Sequence, residues 1–141
     1  MDEIESARRC IPVVQSIIEA KTQDRVVKIY PISNERHFIF ETEKKMKYYQ
    51  VFKRNFFMSF GRIFADQGMS GIGESLNEEA VAYAMVQGIH SFIFAYEDGK
   101  IYTISVKEFH DYAVSHDTIR KTDKTGEKTY SVPIKMLVRW N

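Results

Sequence analysis

The residues best placed to do chemistry are cations interleaved with aromatic rings. Lys44, Lys45, Lys47, Lys53, Arg54 and Arg62 are interspersed with Tyr48, Tyr49, Phe52, Phe56 and Phe57. Such a mixture suits a nucleic acid, because cations neutralise phosphates and release counterions while rings stack on unpaired bases. A second basic group follows later, with Arg120, Lys121, Lys124, Lys128, Lys135 and Arg139. The candidate nucleic-acid contacts are therefore Lys44, Lys47, Lys53, Arg54, Arg62, Arg120 and Lys121. The plain structural alternative is a solvated charged face over an aromatic core.

The charge total conceals this pattern. The 141 residues carry 20 Lys+Arg and 19 Asp+Glu, a net charge of +1. Counted by segment, residues 42–65 carry +5, residues 66–117 carry −7 and residues 118–141 carry +4. A local electropositive face is compatible with a nearly neutral chain. Hydrophobic residues make up 44% and charged residues 28%, which fits one ordinary domain and excludes collagen-like and largely disordered chains.

Other reactive groups give weaker signals. The pairs His110-Asp111 and His116-Asp117 are six residues apart, a spacing that does not share a helix face, so they read as surface or capping residues. Cys10 is the single cysteine, so an internal disulfide and a zinc knuckle are excluded and a reducing compartment is expected. It lies beside an apolar helical stripe and reads as a small core residue. Gly71-Ile72-Gly73-Glu74-Ser75 holds two glycines, but Glu74 would repel a phosphate, so a hinge or helix entry is expected.

The elements that position these residues follow from periodicity. Ile4, Ala7, Ile11, Val14, Ile17 and Ile18 predict a helix over 4–21, with Pro12 as a kink or start. Short strands are predicted over 25–30, 37–42 and 48–52, and a helix over 55–65. Gly68, Gly71 and Gly73 suggest a flexible joint. Ser75–Glu78 reads as a capping box opening a helix to Gln87, stopped by Gly88. Strands 91–96 and 100–105 are joined through Asp98-Gly99, and Ser105–Glu108 caps a helix to about Val114. A hairpin over 118–132 and a short helix from Pro133 to Trp140 complete the chain. The expected fold class is α/β (α+β): an α-β-β-β-α-β core with a mixed sheet flanked by helices, plus a C-terminal β-hairpin and short helix. It forms a single domain, core about 4–115 and extension 116–141.

The order α-β-β-β-α-β resembles the PD-(D/E)XK (restriction-endonuclease-like) nucleases over about residues 4–97. Family members often carry a Glu on the first helix, an Asp at the start of an active strand, and a Glu or Asp two before a Lys at the end of the next. Asp24 precedes the strand 25–30, and Glu43-Lys44-Lys45 follows the strand 37–42 as E-x-K. An antiparallel hairpin brings the start of one strand beside the end of the next, so Asp24 and Glu43/Lys45 could meet. Glu43, Lys45 and Glu41 share a face in extended chain. The resemblance implies catalytic Asp24, Glu43, Lys45 and Glu19, with Asp24 and Glu43 as ligands of Mg²⁺. The ion would stabilise charge on the scissile phosphate and activate a water, and the lysine would hold that water. This sequence has Gln23, not Pro, before the Asp. A second register uses Glu41 as the acid and 48–53 as the next strand, but Gln50 and Lys53 are three apart.

The functional expectation is a nuclease-like DNA-binding protein, with Mg²⁺-dependent phosphodiester hydrolysis as an open question. The alternatives are a non-catalytic nucleic-acid-binding module and a protein-interaction module such as a homodimer. The acidic start Met1–Glu5 is not a signal peptide, and no apolar run reaches the roughly 20 residues of a membrane span, so a cytoplasmic location with no membrane partner is expected. DNA is favoured over RNA as partner.

Overall fold

The computed structural model describes residues 2–55, 58–60, 64–65, 71–121 and 125–141. Helix α1 spans Glu3–Thr22. The Asp2 side chain caps it by accepting from Glu5 N at 2.8 Å, and Glu3 and Glu5 in the first turn face the positive end of the dipole. Ala7, Val14 and Ile18 form its buried stripe. Pro12 lies inside the helix on an exposed position, so the helical period carries past it. The end comes at Gln23, left-handed with φ 56°, whose N–H bonds Glu19 O.

Strands β1 (Val26–Ile32), β2 (His37–Thr42) and β3 (Lys47–Lys53) form an antiparallel meander. Helix α2 (Glu78–Val86) then leads into β6 (Ser91–Tyr96), which lies parallel to β3, and β7 (Ile101–Ser105) returns beside it. Among the described residues, the main sheet has the order β1-β2-β3-β6-β7-β10, with β10 at Val138–Arg139. All six residues of β6 are buried, as expected of a central strand covered on both faces. On one face α1 packs over Phe40, Tyr48, Ile93 and Ala95. On the other, α2 and α3 (Val106–Ser115) cover Ile39, Tyr49, Val51, Phe92 and Phe94. The fold is α+β, with a mixed sheet between helices, as the element order predicts.

A second sheet has the order β4-β5-β9-β8, with β4 at Met58–Ser59, β5 at Ile72–Asn77, β8 at Ile119–Lys121 and β9 at Lys128–Pro133. It changes three sequence expectations. The stretch 71–75 is neither hinge nor helix entry but strand β5. A Cβ on Gly73 would sit 2.2 Å from Val132 O, so the glycine permits a close strand approach. Ser75 lies in that strand opposite Ser131, and Asn77 caps α2 by accepting from Ala80 N at 2.8 Å. The chain after Pro133 makes only a 3-10 turn, Ile134–Met136, because the next residues pair with β7 as β10. The C-terminal residues thus complete both sheets. The capping box at Ser105 forms as read, with Glu108 N bonded to its hydroxyl at 3.1 Å. Of the expected helix over 55–65, residues 56–57 and 61–63, with Phe56, Phe57 and Arg62, lie outside the described residues, as do Gly68 and Lys124; Met58–Ser59, within that range, is strand β4.

Candidate functional site

The hairpin end predicted to hold the chemistry is built from Asp24, Arg25 and the turn 42–46. Asp24 is 5% exposed. Its two oxygens are used inward: Thr42 Oγ1–H donates to Oδ2, and Lys44 N donates to Oδ1 at 3.2 Å. Thr42 Oγ1 in turn accepts from Met46 N at 3.1 Å. The carboxylate therefore supplies acceptors that shape the turn, including Lys45 with φ 69°. Glu43 is exposed and accepts from both Nε and Nη2 of Arg25, at 3.0 and 2.6 Å. Glu19 Oε2 accepts from Val26 N at 2.8 Å, tying the end of α1 to β1.

Asp24 and the Glu43–Lys45 turn thus come together, but each carboxylate already serves a structural partner. Hard Mg²⁺ needs carboxylate oxygens free to coordinate it. As arranged, both Asp24 oxygens are engaged, and the described residues contain no group of three or more His, Cys, Asp or Glu able to hold a metal. The geometry left by these pairings is cationic. Lys44 and Lys45 are exposed, the Arg25–Glu43 charges cancel, and Lys47 Nζ lies 3.4 Å from Gln87 O.

The basic–aromatic segment does not form one face. Lys44, Lys45 and Lys47 lie where β3 begins, and Lys53 and Arg54 where it ends, about 20 Å away at roughly 3.3 Å per residue. Lys53 Nζ donates to Ser75 O at 3.0 Å, and Arg54 pairs with Glu97 at 3.4 Å. Tyr48 and Tyr49 are 4% and 2% exposed, so their rings belong to the core and offer no platform for bases. Arg120 Nη1 donates to Asp117 O and Ile119 O, and its guanidinium lies 4.6 Å from the Phe64 ring centroid. Lys121 is exposed and stands opposite Lys128 in the second sheet.

The other titratable groups disperse. His110 pairs with Asp111 at 3.1 Å, while His116 stacks on Tyr112 with centroids 3.9 Å apart. Glu74 is buried, and its Oε2 accepts from the Tyr96 hydroxyl at 2.9 Å. Burial, then the Glu74 charge beside it, hold that hydroxyl protonated far above its ordinary range. A cavity of about 270 Å³ was not anticipated. It lies under α2 and is lined by Ile32, His37, Tyr49, Asn77, Glu79 and Tyr83 among others. His37 Nδ1 and Tyr49 Oη are 2.8 Å apart. Burial first, then Lys53 and Arg36, lower the His37 pKa to about 4, so the imidazole is neutral at pH 7. The signal was present in the alternation of β3, which puts Tyr49 and Lys53 on one face, and in the i, i+4 spacing of Glu79 and Tyr83.

No protein-family model, curated protein or solved structure matches the chain. No helix among the described residues is long and apolar enough to cross a membrane.

Proposed function

We propose that this chain is a nuclease-like module that binds nucleic acid, DNA in preference to RNA, without metal-assisted cleavage. The observation that carries this reading is the β2–β3 turn. Lys44 and Lys45 are exposed there, while Asp24 is buried in hydrogen bonds and Glu43 is neutralised by Arg25. The end of the sheet that resembles a metal site by sequence order thus presents cations to a phosphate backbone. With β4 and β5 of the second sheet set aside, the helices and main-sheet strands follow the order α1-β1-β2-β3-α2-β6, which supports the resemblance to the PD-(D/E)XK architecture. On the observed strands, the start of β2 is His37, opposite Val51, and Lys53 ends β3. In that register the lysine is kept and both carboxylates are replaced.

The test is binding of duplex and single-stranded DNA and RNA across a salt series, by fluorescence anisotropy. Lys44→Glu with Lys45→Glu should weaken binding at least tenfold and lower the salt slope by about two phosphate contacts, roughly 0.9 each for duplex DNA. Unchanged affinity overturns the reading. Mg²⁺-dependent cleavage that disappears in Asp24→Asn would replace it with the catalytic one.

One observation favours a second reading, a homodimer. Met85 and Val86 at the end of α2 are 49% and 81% exposed, and Met85 lines a shallow recess with the buried Ile89 and Val106. Light scattering of the wild type and of Val86→Glu distinguishes it: a monomeric wild type removes this reading.

A further inference from the structure

Helix α1 carries a second stripe beside its buried one. Ser6, Cys10 and Val13 recur at i, i+4 and i+7 and so share one side of the helix. Together with Phe52 of β3 and Ile101 of β7 they line a cavity of about 330 Å³, whose lining also includes Arg9 and Glu97. That volume lies at the lower end of small-molecule sites, which run from about 300 to 1,000 Å³ and combine apolar walls with few polar groups.

The walls are mostly apolar. Val13 is 48% exposed, which is unusual company for an otherwise apolar recess, and Phe52 is half-buried. Cys10 contributes a wall and no nucleophile: its Sγ–H donates to Ser6 O at 3.4 Å, and burial pushes the thiol up, away from the reactive thiolate. The two charges of the lining are not equivalent. Glu97 is engaged by Arg54 at 3.4 Å. Arg9 is exposed and, among the described residues, makes no ion pair and no side-chain hydrogen bond. The cavity therefore offers apolar surface and one unspent planar cation. A guanidinium matches a carboxylate in a two-pronged hydrogen bond, and an adjoining apolar wall strengthens that pairing by excluding water.

We propose that this cavity binds a small apolar carboxylate, with its hydrocarbon or ring against Val13, Phe52 and Ile101 and its carboxylate on the Arg9 guanidinium. The site is separate from the lysine turn and independent of the nucleic-acid reading. Apolar walls disfavour a heavily hydrated phosphate. Arg9 disfavours an amine, since the one acid of the lining is already paired.

The experiment is an NMR titration of the full chain with octanoate, octanol and octylammonium, which share a tail and differ in the head group. Amide shifts should concentrate at Ser6–Val13 and Glu97–Ile101. Octanoate should bind about tenfold or more tightly than octanol, as one charge-assisted contact warrants. Arg9→Gln should bring octanoate to the octanol level, and Val13→Trp should weaken both. The two positions are exposed, and an otherwise unchanged amide spectrum certifies that each variant is folded. The proposal falls if no ligand saturates at millimolar concentration or octylammonium matches octanoate. It also falls if octanoate keeps its advantage in Arg9→Gln, or if the shifts map elsewhere.

Discussion

His37 Nδ1 and the Tyr49 hydroxyl lie 2.8 Å apart across β2 and β3, a neutral imidazole against a tyrosine that burial keeps protonated. The phenol donates and the imidazole accepts in the arrangement that satisfies both. Protonating His37 would remove that acceptor and place a charge beside Lys53 and Arg36.

This has a consequence for stability against pH. The folded pKa is about 4, below the ordinary value of 6.5. The unfolded chain therefore takes up a proton that the folded one refuses. The contribution is fully present above pH 6.5 and is lost as pH falls towards 4, on the order of 3 kcal/mol in all. Urea midpoints measured from pH 7.5 to 4 should fall for the wild type. They should fall less for His37→Gln, which keeps an acceptor without a titrating ring. Parallel curves would show that His37 does not contribute.

The hairpin end should separate a buried carboxylate from an exposed ion pair. Asp24→Ala removes the acceptor of both Thr42 Oγ1 and Lys44 N and is expected to cost about 2–3 kcal/mol. Arg25→Ala breaks the pair with Glu43, whose partners are 70% and 54% exposed, and should cost under about 0.5 kcal/mol. Chemical denaturation of the two variants reads the ratio directly. Equal losses would contradict this division.

Gly73→Ala should be the more damaging of two glycine substitutions. At Gly73 the new methyl meets Val132 O at 2.2 Å, a backbone atom that cannot swing aside, so a loss of about 3 kcal/mol or more is expected. At Gly71 nothing lies within 4 Å and only the φ of +98° opposes a side chain, so about 1 kcal/mol is expected. Thermal melts of both variants check the order.

The caps give a local test of the helix starts. Asn77→Ala and Ser105→Ala should each cost about 1 kcal/mol, because each removes the acceptor of an otherwise unpaired N–H. Ser75→Ala should leave the cap of α2 intact, since that residue belongs to β5. Helicity and unfolding midpoints distinguish the three.

Where neighbours in sequence supply the forces, the reading was close. The buried stripe of α1, the strands 37–42 and 91–96, the Asp98-Gly99 turn and the Ser105 cap all depend on contacts within a few residues. Ser75 and Asn77 show the limit. Both are competent caps, and the choice fell to Asn77 because β9 paired with β5 through Asn77↔Thr129 and kept Ser75 extended.

Sequence alone indicated that a carboxylate at Asp24 and an E-x-K at Glu43 could meet at a hairpin end, because two strands joined by a turn pair antiparallel. It also determined that cations cluster between Lys44 and Arg54. Tertiary structure decided what those groups do. Asp24 turned inward to Thr42, Glu43 was taken by Arg25, and β3 carried Lys53 some 20 Å from Lys47 while the tyrosines between them entered the core. Which partner satisfies a charge, and whether a ring meets solvent, depends on residues distant in sequence that only packing brings near.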